Sequence, residues 1–400
     1  MLVQLALILA LQNDPALVAK ARAIHNRVIT IDTHNDIDPR YFTTDCNYTM
    51  RLTTQVNLPK MTEGGMDVSF MIVYVDQGPL TPEGYENAYK QAIAKFDAIH
   101  RLTERIAPDK IALALTPGDV VRLHDKGLSV AVIGVENGYP IGTDIRRVKE
   151  FYDRGARYMS LAHNGNSQLS DSNTGEANGY LYNNGLSPLG REVIAEMNRL
   201  GMMIDVSHPS KGSMMETLRL SKAPIIASHS AVRALANVSR NMDDEQLLAL
   251  KKNGGVIQIV GFASYLKVAP PEYTAAVRQL RRESGGAPAG CPIEDPQKSA
   301  EYEKRLAELD AKWPGARASV KNLVDHIDYA VKLIGIGHVG ISSDFDGGGG
   351  IKEWNSAAEA FNVTLELVRR GYTEDQIRKL WGGNLLRVWG EVERVAKTFR

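Results

Sequence analysis

Two cysteines, Cys46 and Cys291, are all that the 400 residues carry. Neither a disulfide framework nor a thiolate metal cluster can be built from so few, and a single bridge is the most they allow. A surplus of one charge is also missing: 47 basic side chains face 47 acidic ones. That balance gives no electrostatic reason to expect nucleic acid or an anionic membrane as partner, and it suits a small-molecule site better. Long hydrophobic runs are absent too. The apolar stretch at residues 5–11, LALILAL, falls far short of the roughly 20 residues that span a bilayer. It has no cationic segment before it and reads in two ways. As the stump of a secretory signal, with residues 1–22 set apart from the domain, it would make the protein periplasmic or secreted. As a start-site artefact or a frayed N-terminal helix it would leave the protein cytoplasmic. No Gly-rich nucleotide fingerprint follows the first strand-like segment, which weakens an open doubly wound sheet, the second choice of fold.

What is present is ample apolar content, 44%, arranged as short apolar runs alternating with amphipathic segments. Eight runs read as strands, at residues 27–36, 66–76, 128–137, 156–164, 202–208, 223–230, 254–262 and 338–346. Most are continuously apolar, as strands covered on both faces should be. Residues 85–102, 187–201 and 243–254 read as helices between them, the last opening on Asp243 or Asp244 and stopping at Gly254, a start and stop favoured by capping. The alternation predicts an α/β fold, a (β/α)8 TIM-type barrel in one domain at residues 23–400. A charged segment rich in Pro and Gly, about 267–314, follows the seventh strand and is expected as an inserted lid. Residues 373–395 read as two helices broken at Gly382-Gly383 and packed on the outside of the barrel.

The chemistry lies in where the acids and histidines fall. His34 and Asp36 end the first strand, Glu136 the third, His163 the fourth, His208 the fifth, His229 the sixth and Asp344 the eighth. In a parallel barrel all these ends share one rim, where the active sites of this fold are built. His25, His100, His124, His326 and His338 fall elsewhere and read as packing or surface residues. His34 and Asp36, two apart on a strand, face the same way and can share one ion. Imidazole and carboxylate without thiolate suit zinc, and less specifically manganese, cobalt or iron. Glu136 follows an uncharged apolar run and is the best candidate to bridge two ions, His208 and His229 completing the second. Asp344 is the simplest general acid/base, with Asp346 as its rival in the same SSDFDGG segment.

The segments IDTHND, VIGVENG, MSLAHN, IDVSH, IIASHS, SRNMDDEQL, SSDFDGG and NLLRVW, in this order, make the chain resemble the membrane (renal) dipeptidase family of amidohydrolase-like metallopeptidases. The resemblance implies a dizinc site in which His34 and Asp36 hold one ion, His208 and His229 the other, and Glu136 both. It implies further that His163 and Arg240 contact substrate and that Asp344 handles the proton. The expected reaction is hydrolysis of a dipeptide amide, with a D-residue at the C-terminal position as one option, by a hydroxide bridging the metals. On the same site, deacylation of N-acyl amino acids or lactone opening stays open, as does a non-catalytic barrel with a maturation or binding role. The C-terminal RVAKTFR has no hydrophobic tail, so no lipid anchor is expected. A homodimer is one option for its assembly, and the segment 267–314 shows little correspondence to the family.

Overall fold

The computed structural model describes residues 14–284 and 290–399, so the apolar run at residues 5–11 lies outside the described residues. Among the described residues nine strands form: β1 (Ile31–Asp36), β2 (Val68–Tyr74), β3 (Ile111–Leu113), β4 (Ser129–Glu136), β5 (Ala156–Ser160), β6 (Met203–Asp205), β7 (Ile226–Ser230), β8 (Val256–Val260) and β9 (Val339–Ser342). Eight of them, all but β3, run in parallel in the order β1-β2-β4-β5-β6-β7-β8-β9. A parallel bridge between Asn35 and Phe345, with the Asp36 amide 2.9 Å from the Phe345 carbonyl, joins the two ends into a (β/α)8 barrel. Each of the eight expected strands is therefore found, shorter at one or both ends because the flanking residues turn into loops. The ninth, β3, was not expected: it is three residues long and pairs only with the start of β4.

Helices alternate with the strands as the apolar spacing requires. The helix Asp244–Asn253 opens on a reciprocal cap between Asp243 and Gln246 and ends at Gly254 with φ +83°. That left-handed turn favours glycine. In β4, Ala131, Ile133 and Val135 belong to the outer core while Val130 and Val132 belong to the lumen cluster, so Glu136 follows the inward-facing set. The lumen cluster also takes in Leu385, Val388, Trp389 and Val392 of the helix Asn384–Ala396. This apolar stripe repeats every three to four residues and meets Phe70 and Tyr158. The C-terminal helix thus plugs the end of the barrel away from the metal-capable rim instead of lying along its outer wall. Gly382 and Gly383 do not break the run either. They sit in a wide π-type turn, Lys379–Gly383, where a Cβ on Gly382 would press into Ile31.

The segment after β8 folds into two helices, Pro271–Ser284 and Pro296–Lys312, packed on each other. A disulfide joins Cys46 to Cys291. Beside it the Thr53 amide reaches the Pro292 carbonyl at 2.8 Å, and Glu294 pairs with Arg51 and Lys60. The insertion therefore buttresses the loop after β1, which carries Tyr41, Tyr48 and Thr54 to the mouth of the central cavity; none of its own described residues lines that cavity.

Candidate metal centre

Seven rim residues foreseen from the sequence meet at the carboxyl ends of the strands. Glu136 is the hub. Its Oε2 lies 3.3 Å from His34 Nε2, and its Oε1 lies 3.0 Å from His208 Nε2, 3.3 Å from His229 Nε2 and 4.0 Å from His163 Nε2. His34 Nε2 is in turn 3.9 Å from Asp36 Oδ2. Three groupings of ligand atoms fit around a cation: His34, Glu136 and His229; Glu136, His163 and His208; His34, Asp36 and Asp344. All share Glu136 or His34, so they are one continuous cluster rather than three sites.

The donor atoms are poised for cations. His34 Nε2, Asp36 Oδ1 and His208 Nδ1 are buried without a hydrogen-bond partner, an arrangement that is costly unless something else satisfies them. Burial holds His208 and His229 well below the ordinary imidazole value, so both are neutral and keep a free lone pair. Burial would also lower His34, but Glu136 and the other carboxylates override it and leave the imidazole at about 9. Burial and the charge of Glu136 push Asp36 up to about 6. Burial would raise Glu136 as well, yet His34 and the other imidazoles keep it well below the usual carboxylate range. Neutral His208 and His229 beside crowded carboxylates fit hard or borderline divalent ions, and a bound cation would displace the proton that the carboxylates otherwise hold on His34.

Behind the ligands the tautomers are set. Tyr158 donates its hydroxyl to the Thr33 carbonyl at 3.0 Å and so accepts from His34 Nδ1 at 2.9 Å. Ser228 donates to Asp205 Oδ2 at 2.7 Å and so accepts from His229 Nδ1 at 2.8 Å. In the neutral form of each ring the proton on Nδ1 leaves Nε2 as the lone pair facing Glu136. The sequence reading missed these supporting residues. The hydroxyl neighbours of the ligands in IDVSH and ASHS are the only local hint of them. The register of β1 shifts between Asp32 and Asn35, and that of β7 between Ala227 and Ser230. Irregularities of this kind re-aim side chains next to active sites.

Asp344 lies two residues past β9, buried, with φ +60°. That backbone conformation is uncommon for a residue with a side chain and is tolerated where the surroundings enforce it. Burial, opposed by His34 but reinforced by Asp36 and Glu136, holds its carboxyl well above the ordinary value. Asp346, the rival, is differently engaged: its two oxygens accept from the Gln55 and Val56 amides at 2.8 and 3.2 Å. A Cβ on Gly347 would collide with the Asp36 and Asp344 carboxylates, so the glycine run lets the backbone approach the acids closely.

His163 lies tilted against His208 with ring centres 4.2 Å apart, and its Nδ1 is 3.2 Å from the Tyr74 hydroxyl. Arg240 is buried behind His229. It donates to the carbonyls of Ser207 and His229 and to Ser230 Oγ, its Nε has no partner, and its guanidinium carbon is 5.3 Å from the Tyr265 ring centre. Like His34, it does not line the cavity of about 470 Å³ onto which Asp36, Glu136, His163, His208, His229 and Asp344 open, whereas Tyr265, Tyr74 and Lys95 do. None of these three was singled out from the sequence. The remaining histidines are structural as expected: His25 is buried between Thr364 and Gly64, and His326 between the Val232 amide and the Leu266 carbonyl.

Residues 18–400 match the membrane dipeptidase family, peptidase family M19. The chain is 31% identical over 385 residues to the dipeptidase aclJ of Aspergillus oryzae, covering 93% of this chain and 80% of that one. To the dipeptidase tcpJ of Claviceps purpurea it is 31% identical over 358 residues, covering 87% and 72%. Among solved structures, the probable dipeptidase PvdM from Pseudomonas aeruginosa superposes with a TM-score of 0.80 at 33% identity over 96% of this chain and all of that one, 100%. A metallopeptidase from Rhodobacter sphaeroides superposes with a TM-score of 0.71 at 22% identity over 91% and 99%. The chain belongs to the membrane dipeptidase family of metallopeptidases and is a hydrolase.

Proposed function

We propose that the protein hydrolyses the amide bond of dipeptides with two divalent ions, zinc in the first instance. One ion is held by His34 and Asp36, the other by His208 and His229, and both by Glu136. The observation that carries this reading is the buried Glu136 carboxylate, whose two oxygens each face imidazoles at 3.0–3.3 Å. Two ions bound there supply a low-pKa water and polarise a carbonyl oxygen.

The chain's own residues supply the rest. Asp344, with its raised proton affinity, takes the proton from the attacking water and returns it to the leaving amine, a role that needs a carboxyl able to exist in both forms near neutral pH. His163, on the solvent side of the cluster and beside Tyr74, contacts the substrate, and in its protonated form donates to the developing oxyanion. Arg240 and Tyr265 mark the pole that receives the substrate's C-terminal carboxylate, the Nε–H of Arg240 being a guanidinium donor that no protein acceptor uses. The Rhodobacter sphaeroides relative was solved with a phosphinate mimic of the dipeptide L-Ala-D-Ala, which makes that dipeptide the first substrate to test.

The test joins metal analysis of the purified protein to turnover on L-Ala-D-Ala, L-Ala-L-Ala, N-acetyl-alanine and a lactone. Two ions per chain with turnover of the dipeptides supports the reading. Fewer than one ion per chain, or turnover of the acyl amino acid or lactone alone, overturns it.

A further inference from the structure

Lys95 lies on the helix Pro82–Arg101 that follows β2. Its position resembles a solvated helix face, yet the side chain is half-buried and lines the catalytic cavity. Its Nζ stands 5.5 Å from the centre of the Tyr74 ring, and among the described residues no acceptor lies within bonding distance of it. It is also the only ammonium or guanidinium group on the described cavity lining, where five carboxylates face it: Asp36, Asp38, Glu136, Asp344 and Asp346.

Those carboxylates are already engaged. Asp38 is bound by Arg40 Nε at 2.8 Å, Asp346 by the Gln55 and Val56 amides, and Asp36, Glu136 and Asp344 belong to the ion-holding cluster. Asp76, which also acts on Lys95 through its charge, accepts from the Tyr74 hydroxyl. The ammonium is therefore held in the mouth of the site without an intramolecular partner of its own. Withdrawing a charge partly from water without pairing it is unfavourable, and a ligand anion relieves that cost.

Ring order says which end of a substrate it meets. In the sequence β1-β2-β4-β5-β6-β7-β8-β9, β2 is four places from β7, so the loop after β7 that carries Arg240 and the helix after β2 that carries Lys95 stand on opposite sides of the barrel axis. Glu136, at the end of β4, projects into the space between them. Resting on the dipeptidase reading above, a substrate whose C-terminal carboxylate points to the Arg240 and Tyr265 pole directs its N-terminal residue to Lys95. We propose that Lys95 is a specificity residue that binds the side-chain carboxylate of an acidic N-terminal residue, so that dipeptides beginning with Glu or Asp are preferred over their amide counterparts.

Glutamyl and glutaminyl dipeptides have almost the same shape, so the ratio of their kcat/KM values isolates the charge. With the metal-loaded enzyme, Glu-Ala is expected to exceed Gln-Ala about tenfold, in keeping with a charge-assisted hydrogen bond in a half-buried site. Lys95→Met should bring the ratio to near one, Lys95→Arg should keep most of it, and Lys95→Glu should invert it. A ratio near one in the wild type, or one that survives in Lys95→Met, overturns the assignment of Lys95 while leaving the dipeptidase reading intact. If neither dipeptide nor L-Ala-D-Ala is turned over, the dipeptidase reading fails and the proposal fails with it.

Discussion

Removing the Ser228 hydroxyl should loosen metal binding more than it loosens the fold. Ser228 Oγ sits between His229 Nδ1 at 2.8 Å and Asp205 Oδ2 at 2.7 Å; Ser228 and Asp205 are 0% exposed and His229 is 1%. In Ser228→Ala the Asp205 carboxylate keeps three donors on Oδ1, the Ser207 amide at 3.1 Å, Ser207 Oγ at 2.9 Å and the Ser228 amide at 2.8 Å, so the tie between β6 and β7 persists. His229 Nδ1 loses its acceptor. A buried donor left unpaired costs about 1–3 kcal/mol, and the imidazole escapes part of that by turning or by changing tautomer, each of which takes the Nε2 lone pair away from Glu136. Loss of such a supporting partner lowers metal affinity by about 10- to 100-fold. The assay is competition for Zn(II) or Co(II) against a chelator of known affinity, run beside thermal unfolding of the metal-free protein. Ser228→Thr, which keeps the hydroxyl, should restore affinity. Metal affinity within twofold of wild type in Ser228→Ala, with only the unfolding temperature lowered, would show that the contact serves the fold alone.

Asp344→Asn should retain both ions yet lose about 10²–10⁴ in kcat; wild-type turnover in this variant would move the proton-transfer role to another group. Arg240→Met should raise KM for dipeptides about tenfold or more with a smaller change in kcat, and an unchanged KM in steady-state kinetics would retire the carboxylate pole. The Cys46–Cys291 bridge spans 245 residues, so chain entropy sets an upper limit of about 5 kcal/mol on its stabilisation. The Cys46→Ser, Cys291→Ser double variant should lower the thermal midpoint, and it should change substrate affinity through the loop bearing Tyr41, Tyr48 and Thr54. A midpoint equal to wild type, measured by calorimetry, would mean that the bridge adds nothing to the packing around Arg51 and Glu294.

Much of the site was legible because a parallel barrel turns position in sequence into position in space. Every strand ends on the same rim, so His34, Asp36, Glu136, His163, His208, His229 and Asp344 could be placed together from strand boundaries accurate only to a few residues. The apolar stretch before Glu136 announced a buried carboxylate because an uncompensated charge there would be costly. The His-x-Asp spacing suggested that the two could share an ion, and the fold brings His34 Nε2 within 3.9 Å of Asp36 Oδ2. Asp344 was preferred over Asp346 on simplicity and on the family resemblance, since two residues along an extended segment could put both carboxylates on one side. The preference is also argued from the fold, which ties Asp346 to the amides of a loop about 290 residues earlier in the chain.

Other features depended on contacts that no local pattern encodes. Cys46 and Cys291 could be seen to permit one bridge, but only the meeting of the insertion with the loop after β1 brought them together. The stripe of Leu385, Val388 and Trp389 declared an amphipathic helix without saying which apolar surface it would cover, and the open end of the barrel lumen claimed it. Lys95 carried no signal in the sequence, and Arg240 was expected at the substrate through the family resemblance alone. Side-chain environment is a property of what the chain folds against, so one became a half-buried ammonium facing the cavity and the other an anchor for the strand ends behind His229. Hydrophobic periodicity and strand-end chemistry thus determined the barrel and its metal-capable rim from the sequence alone. The tautomers of the ligands, the engagement of each acid and the charge at the cavity mouth were decided only by tertiary structure, because each depends on partners far apart along the chain.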